Sequence, residues 1–350
     1  MEHHTAVETR GEGLVAHHNP PLTAPESARL WQVNLYYKML YCVFKHFLST
    51  CDDQDLRLHI EEALSMFEER INRSTEVLTE EGHPVPIGFT DNDLEPESPR
   101  LFTDLYYYYY ILHMAQIGLQ LNSMDLAHTT RKDVREFFTA SVSSTMGYYN
   151  RFSDLMLEKG IYIRPPAVNI FKETDIVEKQ DFLRGFLGKR RPLLELEINH
   201  LFSGIRNNVI GGLLATGFQQ VAGSEQVRAY MARGTDISRK HADILNSVLQ
   251  KEKIPAPMHS GVLLLDLTTP PFSDKLMMQH MVILTGIGIG NLANAMATSL
   301  RHDLGVSFTR LIGEAANYGE DGLNIMIENG WFEQPPRKID PRDLAREQVH

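Results

Sequence analysis

Apolar positions recur along most of this chain at the spacing of a helix face. Ile237, His241, Leu245 and Val248 share one stripe at 3.6 residues per turn, with Gly234 and Tyr230 behind them. Comparable signals predict helices at about 23–49, 53–81, 101–126 and 131–158, with few alternating β-branched runs between them. Leu22-Thr23-Ala24-Pro25-Glu26 reads as a helix start: Thr23 is the N-cap, Pro25 sits in the first turn and Glu26 completes a capping box. Gly82 closes the second helix and Gly160 the fourth.

The same punctuation then returns. Thr103-Asp104 corresponds to Ser273-Asp274, Arg131-Lys132-Asp133 to Arg301-His302-Asp303, Gly160 to Gly330 and Pro165-Pro166 to Pro335-Pro336, each 170 positions on. Upstream the offset is 171, as in Pro84-Val85-Pro86 against Pro255-Ala256-Pro257 and Pro21-Leu22 against Pro192-Leu193. A duplication with one deletion accounts for both offsets. The expected fold is therefore all-α, two tandem four-helix bundles of ferritin-like type related by internal duplication. The expected boundaries are a disordered arm at 1–20, bundles at 21–166 and 192–336, a linker at 167–191 and a tail at 337–350.

Several phrases in this plan are long and specific: Leu-Phe-Thr-Asp from Leu101, Gly-Ile-Tyr-Ile-Arg-Pro-Pro from Gly160, Pro-Pro-Phe-Ser-Asp-Lys-Leu-Met-Met from Pro270, and Asn-Gly-Trp-Phe-Glu-Gln-Pro-Pro from Asn329. With the tandem arrangement, they resemble the domain of unknown function 3231 family of endospore-forming bacteria, over nearly everything from Pro20 to Pro336. The resemblance implies a ferritin-like helical protein related to spore-coat proteins. It implies no particular reaction and supplies no catalytic residues.

Charge and composition narrow the class. Residues 1–175 carry 15 Lys+Arg against 26 Asp+Glu, whereas residues 176–350 carry 19 of each, for a net charge of −11. An acidic first half argues against nucleic acid as a partner, because phosphate binding needs clustered Lys and Arg. The polar arm from Met1 to Asn19 has neither signal-peptide nor transit-peptide character, and its histidines (His3, His4, His17, His18) suit a disordered segment. The most apolar stretch, Met281 to Ala297, is broken by Gly286, Gly288, Gly290 and Asn291 and reads as a buried helix, so no membrane span is expected. Two cysteines nine apart, Cys42 and Cys51, fit neither a disulfide framework nor a thiolate metal site and suggest a reducing compartment. A cytoplasmic, spore-associated location is the expectation.

Candidate chemistry comes from comparing the two copies. His241 and His280 lie on apolar stripes of the second copy, Glu197 flanks the stripe of its first helix, and Glu320 lies late on its fourth. Their first-copy counterparts are Arg70, Tyr110, Glu26 and Asn150, so three of the four are replaced together. Histidine and glutamate converging from facing helices is how ferritin-type carboxylate proteins hold iron or manganese. Glu197, His241, His280 and Glu320 are accordingly the expected metal ligands, with an iron- or manganese-dependent oxidase acting on a small apolar substrate as the enzymatic alternative. Three features count against the set, the first being that Glu320 sits well round from the centre of its helix's main apolar face. The standard pair of Glu-x-x-His motifs is absent, and a long crossover between helices two and three would separate His280 from His241. The competing expectation is that each histidine is hydrogen-bonded in the core.

Tyrosine is unevenly used. Only Tyr230 and Tyr318 lie outside the first copy, which carries the run Tyr106 to Tyr110. Five consecutive residues cover the whole circumference of a helix, so some phenols are expected in the core and others facing out. The run is expected to form an aromatic layer between helices or at a bundle–bundle or dimer contact, suited to self-association or contacts with coat proteins, against the plainer expectation of helix-packing aromatics.

Overall fold

The computed structural model describes residues 20–170, 173–186, 190–256 and 263–338. The histidine-bearing arm and nearly all of the expected tail lie outside the described residues, as do Gly188 of the linker and Pro257 of the repeat. Eight α-helices form among the described residues: α1 (Ala24–Thr50), α2 (Gln54–Glu80), α3 (Asp104–Ala127), α4 (Lys132–Glu158), α5 (Glu195–Val221), α6 (Glu225–Lys251), α7 (Asp274–Thr298) and α8 (His302–Glu328). They make two tandem four-helix bundles. Thr23 caps α1 in a capping box with Glu26, and Gly82, Gly160 and Gly330 take the positive φ that ends a helix.

Polar contacts at the helix ends fix how each bundle is wound. Asp104, at the start of α3, accepts the N–H groups of Asp52 and Asp53, which precede α2. Glu26, at the start of α1, accepts those of Thr130 and Arg131, which precede α4. Arg131 also pairs with Glu81 just beyond α2. Helices α2 and α3 therefore start at the same end and run parallel, with α2 packed on α4. Residues 81–103 must climb the full height of the bundle, the path also used in ferritin-type bundles. The second bundle repeats it: Asp274 accepts from Gly223 and Ser224, Glu197 from Leu300 and Arg301, and Arg301 pairs with Glu252.

The two crossovers meet. Leu94 bridges Phe272, and Phe102 bridges Leu264, both antiparallel. Since 94 pairs with 264 and 102 with 272 in the repeat, one bridge is the image of the other under a pseudo-two-fold axis. The flanking bonds obey the same rule: Thr103 N–H donates to Leu263 and Ser273 N–H to Asp93, while Glu95 donates to Pro271 and Leu265 to Leu101. The tandem halves thus associate as an isologous pair within one chain. Phe102 lies on the bare backbone of Gly217, where a Cβ would come within 2.4 Å of the ring, and its image Phe272 lies edge-on to His46.

The tyrosine run sits on this axis. All five phenol rings are buried, contrary to the expectation that some would face out. The reason is that the second bundle covers the side of α3 turned away from its own core. Tyr106 donates to the carbonyl of Ile210 at 3.2 Å, and Tyr110 hydrogen-bonds His280 at 2.8 Å. Tyr106 and Tyr110 thus take the bundle–bundle contact among the expected placements, while Tyr107 stacks on Phe47 and Tyr108 reaches Asp53 within the first bundle.

Helix α7 also differs from its sequence reading. Leu276 to Met281 are buried, but the stretch from Val282 to Ile289 is mostly half-buried, with Gly286 exposed. Its length and composition would suit a membrane span. In the fold its apolar surface packs on α5 and α8 and lines two cavities.

Glu26 is fully buried, and its carboxyl is brought down to about 2: burial opposes ionisation, but the N–H groups of Arg131, Thr23 and Thr130 outweigh it. A depressed carboxyl contributes stability above its unfolded value, and that contribution is lost as pH falls toward the folded value. We expect about 3 kcal/mol from Glu26 to disappear between pH 4.5 and 2. Denaturant unfolding of wild type and Glu26→Gln across that window checks this; parallel pH profiles for the two proteins would contradict it.

Candidate ligand cavity in the second bundle

The four expected metal ligands are not brought together. Glu197 is fully buried at the start of α5, where it caps the helix, takes two hydrogen bonds from Arg191 and accepts from the starts of α5 and α8. It does the work of Glu26, which explains why this position alone is the same in both copies. His241 lies 16 residues into α6 and His280 six residues into α7, helices that start at the same end, so the two are ~15 Å apart along the bundle. The crossover is the cause. His280 Nε2 meets Tyr110, its own counterpart across the pseudo-two-fold, and burial holds its pKa down at about 3. His241 Nε2 bonds Glu314 at 3.0 Å; burial lowers its pKa and the carboxylate offsets part of that. Glu320 is exposed on α8. Among the described residues no group of three or more His, Cys, Asp or Glu stands close enough to hold a metal ion.

A different contrast separates the two bundles. The centre of the first holds a cavity of only about 30 Å³, closed by Tyr36, Tyr37, Phe67 and Arg70. Arg70 is fully engaged there: it donates to Tyr37, Ser141, Ser144 and Thr145 and lies 4.8 Å from the centre of the Tyr37 ring. The equivalent residues in the second bundle are Asn207, Asn208, Ser238 and His241, and the cavity they line measures about 600 Å³. Leu40 becomes Gly211 and Ala63 becomes Gly234. Of the residues around the small cavity, all but Phe44 have their counterpart in the wall of the large one. Deleting one buried aromatic side chain costs about 3–5 kcal/mol. The second half forgoes three at one level of its core, and its apolar residues split into two clusters, one continuous with the first bundle and one where α5 and α8 start and α6 and α7 end.

The cavity extends to the seam between the bundles, where α3, α4 and the segment after α4 contribute His113, Gln116, Tyr149, Tyr162 and Pro165. Arg206 stands among them. Its guanidinium donates to Gln116 at 2.8 Å, its Nε has no partner among the described residues, and burial lowers its pKa. His113 is buried with Nδ1 unpartnered; burial and then the Arg206 charge hold its pKa at about 3. Tyr149 and Tyr162 face each other at 3.4 Å, and burial and its neighbour push Tyr162 up to about 12. His200, which has the Glu-x-x-His spacing from Glu197, bonds Thr298 and lines the far part of the cavity. No Asp or Glu lines it among the described residues. The signal that could have revealed the cavity lies in the repeat itself, where Tyr36, Tyr37, Leu40 and Phe67 align with Asn, Asn, Gly and Ser.

The sequence matches the family described as "Protein of unknown function (DUF3231)" over residues 12–173 and again over 181–344. The chain belongs to this family, as two tandem copies. A search of curated proteins finds no match. Among solved structures, the chain is similar to a "putative spore coat protein" from Bacillus halodurans, with 19% identity and a TM-score of 0.38, over 43% of this chain and 98% of that one. A likeness at that distance carries no argument about function here.

His113 and His280 should stay neutral far below the ordinary value of 6.5. A depressed histidine binds its proton more readily in the unfolded chain, so stability falls as pH drops below 6.5. Nitrogen-detected imidazole spectra should show His113 and His280 as neutral rings at pH 5; titration of either near 6.5 would show that its ring is solvated.

Proposed function

We propose that this protein binds a small organic molecule in the second bundle, with the first bundle as a solid scaffold of the same design. The observation that carries this reading is that Asn207, Asn208, Gly211 and Ser238 line one continuous cavity of about 600 Å³, where Tyr36, Tyr37, Leu40 and Phe67 leave the first half spaces of about 30 and 280 Å³ at the equivalent positions. A core is normally packed to the density of an organic crystal, and departures from that rule concentrate at functional sites. The larger volume is also typical of small-molecule pockets, which combine apolar walls with a few placed polar groups. Spore association, which the family resemblance implies, belongs to the same proposal as the setting in which the ligand is bound. Metal-dependent oxidation is not part of it, because each of the four expected ligands is engaged elsewhere or exposed.

Refilling the cavity tests the reading. The triple variant Asn207→Tyr, Asn208→Tyr, Ser238→Phe restores the aromatic residues of the first bundle. We expect it to gain about 1–3 kcal/mol in stability from the added burial. Native mass spectrometry after incubation with a small-molecule extract of sporulating cells should show a retained mass on wild type and none on the variant. Identical spectra for the two proteins, with or without retained mass, would overturn the reading.

A further inference from the structure

We infer that the molecule held in the second bundle is an organic anion, an oxyanion head on an apolar body, and that Arg206 is its counter-charge. This inference rests on the small-molecule reading above and deepens it.

Four observations support the charge. First, Arg206 is the one arginine in the cavity wall, no lysine, aspartate or glutamate joins it, and no carboxylate pairs with it among the described residues. A half-buried guanidinium facing only an amide, two phenols and a neutral imidazole lacks the counter-ion that buried charges normally acquire. Second, it is under-used as a donor: one hydrogen bond to Gln116 and a partnerless Nε, where Arg70 in the first bundle makes four bonds. A buried arginine can therefore be satisfied by neutral acceptors in this fold, and at position 206 it is not. Third, buried His113 beside it also leaves Nδ1 unpartnered, and its imidazole supplies a further polar contact.

The fourth observation is an internal control. A second cavity of about 280 Å³ lies at the pseudo-symmetric place, between the first bundle and the segment after α8. There Leu35 stands for Arg206, Ile283 for His113 and Phe332 for Tyr162. The fold is built equally well with apolar residues at these positions, so packing does not demand a cation at 206. The body of the ligand follows from the apolar part of the lining, where Ile117, Leu284, Ile287 and Leu292 present surface to the same space. The guanidinium fork suits either a carboxylate or a phosphate monoester, both of which it can engage in bidentate fashion.

Four ligands that share one chain separate the possibilities: decanoate, decyl phosphate, decylamine and decanol, titrated calorimetrically into wild type, Arg206→Leu and Arg206→Lys. Leucine is the residue the fold already carries at the equivalent site, so Arg206→Leu should fold; its melting curve without ligand confirms it. We expect an anion to bind wild type at least tenfold more tightly than decanol, with decanoate against decyl phosphate deciding the head group. Arg206→Leu should lose roughly 10–100-fold for the anion and little for decanol. Arg206→Lys should recover part of that loss. Equal affinity for decanol, tighter binding of decylamine, or an unchanged anion affinity in Arg206→Leu would overturn the anion assignment and leave the small-molecule reading standing. Failure of all four to bind, while native spectra still show a retained mass, would overturn it in the same way. Failure of both experiments would remove the reading itself.

Discussion

Two carboxylates buried at the foot of the bundles, Glu26 and Glu197, hold the architecture together. Each must be satisfied by N–H groups or a cation, because a bare buried charge is too costly to keep. Each therefore binds the start of its own helix and the start of the fourth helix of its bundle, where Arg131 or Arg301 closes the end against Asp133 and Glu81, or Asp303 and Glu252. With α1 and α4 tied at one end, and Asp104 or Asp274 tying the third helix to the start of the second at the other, a long crossover is required. The crossovers in turn carry Leu94, Phe102, Leu264 and Phe272 to the pseudo-two-fold, and so join the halves.

On that shared frame the halves diverge. The first uses aromatic side chains to fill its centre and to face the seam, with Phe47 stacked on Tyr107 at 3.9 Å and Phe102 on Tyr106 at 4.2 Å. The second keeps its helix ends and its α6–α8 contact, where Tyr230 and Tyr318 stack at 4.2 Å against the bare backbones of Gly234 and Gly322. Between these fixed levels it replaces aromatics with asparagine, serine and glycine. The division of labour follows from duplication: one copy preserves stability while the other is free to open a cavity.

Much of this was legible in the sequence. Helix ends came within about three residues because capping boxes and helix-ending glycines are local signals, and the repeat followed from matching punctuation. The site was not legible by the same route. His241 and His280 share a pattern of apolar neighbours, but a stripe says nothing about height, and height depends on whether the connection to α7 is short or crosses the bundle. The tyrosine imbalance was visible and pointed to a contact layer, which Tyr106 and Tyr110 form between the bundles, but its second meaning is volume: Tyr36 and Tyr37 fill what Asn207 and Asn208 leave open. Arg206 carried no signal alone, because its importance lies in the absence of a partner, which only three dimensions reveal.

The central claim is that the second bundle, and not the first, receives an organic anion inside its helices. The most direct test is crystallographic: crystals grown with 10-bromodecanoate and measured at the bromine absorption edge. The account predicts a bromine peak inside the second bundle among α5, α6 and α7, with the carboxylate at Arg206, and no peak in the filled centre of the first. A bromine peak confined to the outer surface, or none in the second bundle at saturating ligand, would contradict it.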